Sequence, residues 1–213
     1  MKLKDWQAFI SLRNGRDGFT LRGVPDGTYK AMRFLVGLRP EVNNSDASKH
    51  PAYHPLNPNL NGMHWSWQGG YIFLALEGAW REESGRINGF SYHLATDQML
   101  TSVELSTSLE LRTDHRLNIL LDVAKLLGGI QLTADSTSTH SRADDPLAAR
   151  LKSNVGRAFI VAAPASETPI TDAVPSKPHK VEMAPTARLY RFSFPSSYPR
   201  PSLPGDNPLT LEG

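Results

Sequence analysis

Ten of the chain's sixteen prolines lie beyond residue 160, and only six precede it. Proline lacks the backbone N–H that a helix interior or a central strand needs, so its placement separates what folds from what stays extended. The distribution predicts one folded domain over residues 1–162, followed by an extended Pro-rich tail over 163–213 with no core of its own. A domain of that size is large enough to bury a real core.

Within the first part, short apolar runs alternate with turn chemistry. Trp6 to Leu12 stops at Asn14-Gly15, and Phe19 to Leu21 stops before Pro25-Asp26-Gly27. Strands are predicted at Tyr29 to Leu38, Tyr71 to Leu76, Gly89 to Leu94 and Val103 to Leu111, the last alternating apolar with hydroxylated or charged residues. Asn118 to Leu127 is ambiguous, because Asp122 to Leu127 before Gly128-Gly129 also suits a helical turn. One short helix is predicted over Pro146 to Ser153, capped by Asp144 or Asp145 and with proline at its first position. Many short strands with glycine and proline turns and one helix predict an all-β, mainly antiparallel, β-sandwich-like single domain.

Composition removes several functions. A formal charge of +2 implies no broad phosphate-binding surface, so nucleic acid is not an expected partner. With no cysteine, disulfides, thiolate metal sites and a Cys nucleophile are excluded. No apolar run is long enough for a transmembrane segment. Met1-Lys-Leu-Lys-Asp5 is not a signal peptide, which leaves a cytosolic protein or the mature or truncated form of an exported one. Neither a P-loop nor a dinucleotide fingerprint is found, and Ser136 to Ser141 has no nucleophile elbow around its hydroxyls and His140. The chain is expected not to be an enzyme.

The informative segment runs from Asn43 to Gly78 and holds three of the seven histidines, His50, His54 and His64. His50 and His54 have helical metal-ligand spacing, but Pro51 and Pro55 follow them directly and favour a loop. Trp65 and Trp67 stand two apart, so on a strand they share a face with Met63 while His64 points to the other. Spacing alone leaves two readings open: an aromatic wall of the core, or a pocket with nitrogen and thioether donors that favours copper(I) over iron or calcium. His93, His115, His140 and His179 lie elsewhere, where a lone histidine reads as a surface or hydrogen-bonded residue.

The run Asn61-Gly-Met-His-Trp-Ser-Trp-Gln-Gly-Gly-Tyr-Ile-Phe-Leu-Ala-Leu-Glu-Gly78 resembles the signature of the MbnP-like family, copper-associated exported proteins of methanotrophs and their relatives. Pro25 to Gly37 is similar to the family's preceding strand pair, and Thr139-His140-Ser141 with the Pro146 helix is similar to its closing segment, so the resemblance spans roughly residues 5–162. It implies a β-sandwich-like domain, a periplasmic or cell-surface location, and copper(I) held by two histidines and a tryptophan oxidised to kynurenine by a partner diheme enzyme. It makes His140, Trp65 and Trp67 candidate ligands, with His64 and Met63 as further candidates. The better-known copper binders carry a histidine two residues from the modified tryptophan, whereas here Met63, Trp67 and Gly69 occupy those places and His64 is adjacent to Trp65.

The tail Tyr190-Arg-Phe-Ser-Phe-Pro-Ser-Ser-Tyr-Pro-Arg-Pro-Ser-Leu-Pro-Gly-Asp-Asn-Pro-Leu-Thr-Leu-Glu-Gly213 resembles the segment that leads into diheme cytochrome c peroxidases and MauG-like proteins. That implies a diheme peroxidase partner, or a natural fusion or shortened reading frame joining the two. The sequence thus gives two expectations: a copper(I)-binding or copper-handling protein, or a β-sandwich interaction module that is a metal-free substrate of such a peroxidase.

Overall fold

The computed structural model describes residues 6–65, 70–142 and 144–162, apart from the Asn14 side chain, together with the backbone of 180–185. Trp67 and the tail segment 190–213 lie outside the described residues.

Strands form at the four places predicted from alternation and turns, and elsewhere as well. They are β1 (Phe19–Arg22), β2 (Gly27–Val36), β3 (Ile72–Arg81), β4 (Ile87–Ala95), β5 (Thr101–Leu111), β6 (His115–Leu121), β7 (Ser138–Thr139), β8 (Phe159–Val161) and β9 (Lys180–Pro185). In β5, Val103, Leu105 and Leu111 are buried while Ser102, Glu104, Ser106 and Glu110 are exposed, the period of two expected of a strand with one wet face. The strands form three sheets: β2–β5, β3–β4–β7, and a third in the order β1–β9–β6–β8. Pairing is antiparallel except for β4 with β7 and β6 with β9. The fold is all-β, mainly antiparallel and β-sandwich-like.

The helix Pro146–Ala158 supplies the floor of the core. Asp145 caps it, its Oδ1 accepting from the N–H groups of Leu147 (2.9 Å) and Ala148 (3.2 Å), and Pro146 occupies the first turn. It runs past Ser153 because Leu147, Leu151, Val155 and Ala158 keep one continuous buried stripe. That stripe shares one buried cluster with Tyr92 and Leu94 of β4, Val103 and Leu105 of β5, and Leu117 and Ile119 of β6. A smaller cluster of Ala47, Leu56 and Tyr71 anchors the loop that precedes β3.

The structure revises or resolves the expectations in four places. Trp6 to Leu12 is not a strand: a 3-10 turn takes Leu12–Asn14, Gly15 adopts φ 63°, and only Ser11 and Arg16 pair. The ambiguous stretch after Asn118 divides at Asp122, whose side chain accepts from Lys125 N–H and starts a single turn, Val123–Leu126. β3 continues through Gly78 because Phe90 on β4 lies across it; a Cβ there would stand 2.8 Å from Phe90 Cζ. In the region expected to be an extended tail, β9 enters the third sheet between β1 and β6. Among the described residues no helix is long and apolar enough to cross a membrane.

Candidate metal centre

The loop from Pro40 delivers the Trp65 segment to β3 through polar side chains. Asn43 is buried; its Nδ2 donates to Asp97 Oδ1 (2.8 Å) and its Oδ1 accepts from Tyr71 N–H (2.7 Å). Gly70 passes this junction at φ 90°, and a Cβ there would stand 3.0 Å from Asn43 Oδ1, so both backbone and space demand glycine. His64 bridges Tyr71 across an antiparallel pair, flanked by Trp65 N–H to Gly70 O (3.0 Å) and Ile72 N–H to Met63 O (2.7 Å).

This pairing separates the sequence-predicted residues. The ring of His64 meets Tyr71 edge-on at 4.8 Å, and burial pushes its pKa below the ordinary histidine value. Met63 is half-buried. Trp65 instead meets His140, their ring centroids 5.8 Å apart and the planes at 74°. His50 and His54 are distant in role: they stack on each other at 4.4 Å, in a loop as their prolines require.

The third member of the Trp65 cluster is His93, on β4. Its ring lies 6.0 Å from Trp65 and 5.7 Å from His140, so the three rings form a nearly equilateral triangle. Sheet register explains the meeting. β7 runs parallel to β4 with Tyr92 opposite Thr139, and both of those residues are buried. The residue that follows each, His93 on β4 and His140 just past β7, therefore turns to the opposite face. Sequence reading passed over His93 because it lies 28 positions from Trp65 on an ordinary alternating strand. The available signal was that same alternation, which puts Ser91 and His93 on one face opposite Ala75 and Glu77 of β3.

His140 is exposed, yet its neighbours Thr139 and Ser141 are 2% and 3% exposed. Ser141 takes φ 59°, a left-handed conformation, and its Oγ accepts from Ala95 N–H (2.7 Å) while donating to His93 O (2.8 Å). The Thr139 hydroxyl donates to Asp145 Oδ2, which couples His140 to the helix cap.

His93 has unequal ring nitrogens. Nε2 lies 2.9 Å from Glu77 Oε1 and 3.2 Å from the Ser91 hydroxyl. Nδ1 is buried and has no hydrogen-bond partner among the described residues. Glu77 also receives Arg13, its Oε2 lying 3.2 Å from the guanidinium. Burial alone would raise the Glu77 carboxyl, but its hydrogen bond and charge interaction with His93, together with Arg13, outweigh that and hold it below the usual range. Two neighbouring imidazoles, one with a buried nitrogen that lacks a partner among the described residues and one exposed, suit a cation that prefers few, neutral donors. Among the described residues no three histidine or carboxylate side chains converge on one point, so the set fits neither a four-ligand zinc site nor an oxygen cage for calcium.

Trp65, Glu77, His93 and His140 all fall within residues 5–141, the stretch matched by the family model described as MbnP. No curated protein and no solved structure matches the chain. With well over half its length covered by that family model, the chain belongs to the MbnP family.

Proposed function

We propose that this chain is an exported copper(I)-binding or copper-handling protein whose site is built from His93, His140 and an oxidisable Trp65. The observation that carries the reading is the cluster of the His93, His140 and Trp65 rings, in which His93 Nδ1 is buried and has no hydrogen-bond partner among the described residues. A buried polar nitrogen without a partner is costly, and a bound cation is one way to satisfy it. His93 and His140 are the residues that would hold the ion. The intact indole N–H of Trp65 is a donor and no ligand; its ring-opened kynurenine form would offer a neutral aniline nitrogen. Copper, when bound, supplies a soft Lewis-acidic centre at the protein surface. The chain's own part is to hold two imidazoles side by side and to leave one of them open to solvent. His64 and Met63 drop to secondary candidates, since His64 packs on Tyr71.

A second reading is favoured by the small number of donors among the described residues. In it the domain presents Trp65 to a diheme peroxidase as a substrate and holds no metal. One experiment separates the two. Copper(I) titration by competition with a chromophoric chelator is expected to give one site in the wild type, and at least tenfold weaker binding in His93→Ala and His140→Ala. Equal binding by all three proteins would overturn the site. Mass spectrometry of Trp65 after co-production with the peroxidase tests the oxidation: unmodified tryptophan with full copper binding would remove kynurenine from the ligand set.

A further inference from the structure

The copper reading leaves open what makes Nδ1, rather than Nε2, the free nitrogen of His93. The answer lies on the neighbouring strand. In the β3–β4 register Glu77 stands opposite Ser91 and Ala75 opposite His93, so Glu77 and His93 are diagonal neighbours on one face. The carboxylate reaches across that diagonal to His93 Nε2 at 2.9 Å. Its other oxygen is engaged by Arg13, from the turn Leu12–Asn14, which fixes the plane in which the carboxylate presents itself.

We propose that Glu77 is a positioning residue that holds His93 as its Nε2–H tautomer, in one ring orientation, and so makes Nδ1 the nitrogen offered to a cation. A carboxylate only accepts, so the nitrogen 2.9 Å from it carries the proton. In the neutral ring the other nitrogen then holds the lone pair, and the ring cannot flip without breaking the bond to Glu77. Burial does the rest. With 15% of the His93 side chain exposed and no partner at Nδ1 among the described residues, water competes weakly for that lone pair. A carboxylate behind a ligating histidine also raises the basicity of the ligating nitrogen. His140 is exposed and has no such partner among the bonds described, which divides the labour: one imidazole is preset, and the other is left free to adjust.

The role rests on the copper reading only for its consequence, and the test keeps the two apart. Nitrogen-15 spectra of the metal-free protein at neutral pH report directly which ring nitrogen is protonated. For the wild type, His93 is expected to show a protonated Nε2 and a bare Nδ1. Glu77→Gln, which keeps an acceptor oxygen, is expected to retain that pattern, and Glu77→Ala to show exchange-averaged shifts between tautomers or ring orientations. Circular dichroism of each variant checks that β3 and β4 remain folded. Unchanged His93 shifts in Glu77→Ala, or a protonated Nδ1 in the wild type, would overturn the proposal. Copper(I) competition then reads the consequence: affinity is expected to fall about 10–100-fold in Glu77→Ala and less in Glu77→Gln. Loss of copper binding by the wild type itself, with the Glu77-dependent tautomer intact, would sink the copper reading and support Glu77 as the residue that positions His93.

Discussion

The Ser141 hydroxyl donates to the carbonyl oxygen of His93 at 2.8 Å, so the residue after one histidine is tied to the backbone of the other. The Ser141 hydroxyl oxygen in turn accepts from Ala95 N–H, and Ser141 is almost wholly buried. We predict that Ser141→Ala destabilises the protein by about 1–3 kcal/mol, since it strands a buried N–H and a carbonyl. Urea unfolding measures this directly. A midpoint equal to the wild type's would mean that water replaces the hydroxyl and that the clamp is dispensable.

Asp145 serves two elements at once, capping the helix with one oxygen and accepting from Thr139 with the other. Replacing it by alanine is expected to cost about 0.5–2 kcal/mol through the lost cap. The variant should also loosen His140, one residue beyond Thr139. Asparagine at 145 keeps a capping oxygen and is expected to recover most of the stability. Thermal melts of the two variants should therefore differ, and coincident melts would rule out the cap as the source.

His54 makes stability depend on pH. Burial, then the nearby charge of His50, lowers its pKa below the ordinary 6.5, and its Nδ1 accepts from Leu56 N–H at 3.1 Å, which only an unprotonated nitrogen can do. Because the folded pKa is depressed, the unfolded chain takes up a proton first as pH falls. The stabilisation is complete above pH 6.5 and is lost as pH drops through that value towards the folded pKa. We predict a falling urea midpoint from pH 7.5 to 5.5 in the wild type, and a shallower fall in His54→Asn, whose side-chain oxygen can still accept from Leu56. Parallel pH profiles would refute the assignment.

Gly70 combines φ 90° with a side-chain neighbour at 3.0 Å. Alanine there meets both backbone strain and Asn43, so a loss of more than about 1 kcal/mol is expected. Loss of the bond from Tyr71 N–H to Asn43 should accompany it, visible as faster amide exchange at Tyr71. Slow exchange in the variant would show that the junction adapts.

Local rules made much of this fold legible. Alternation in Val103 to Leu111 and the Asp-Pro start at 145–146 each encode their element within a few residues. The helix end was less legible, because Leu151 and Val155 extend the buried stripe through contacts with strands remote in sequence. At the site, Trp65 and His140 announced themselves through a motif. His93 and Glu77 did not, because their roles arise from the pairing of β3 with β4, and a register is not written in either strand alone.

The position of β9 sets an order in time. Phe19 of β1 pairs with Met183 of β9, far along the chain, whereas every pairing in the β3–β4–β7 sheet is available once Thr139 has been made. Contacts between such distant residues form slowly, because a large loop must close before any of them is gained. Pulse-labelled hydrogen exchange during refolding should therefore protect β3 and β4 amides before those of β1. On a growing chain, all three members of the histidine–tryptophan triangle have been synthesised while the first strand still waits for its neighbour.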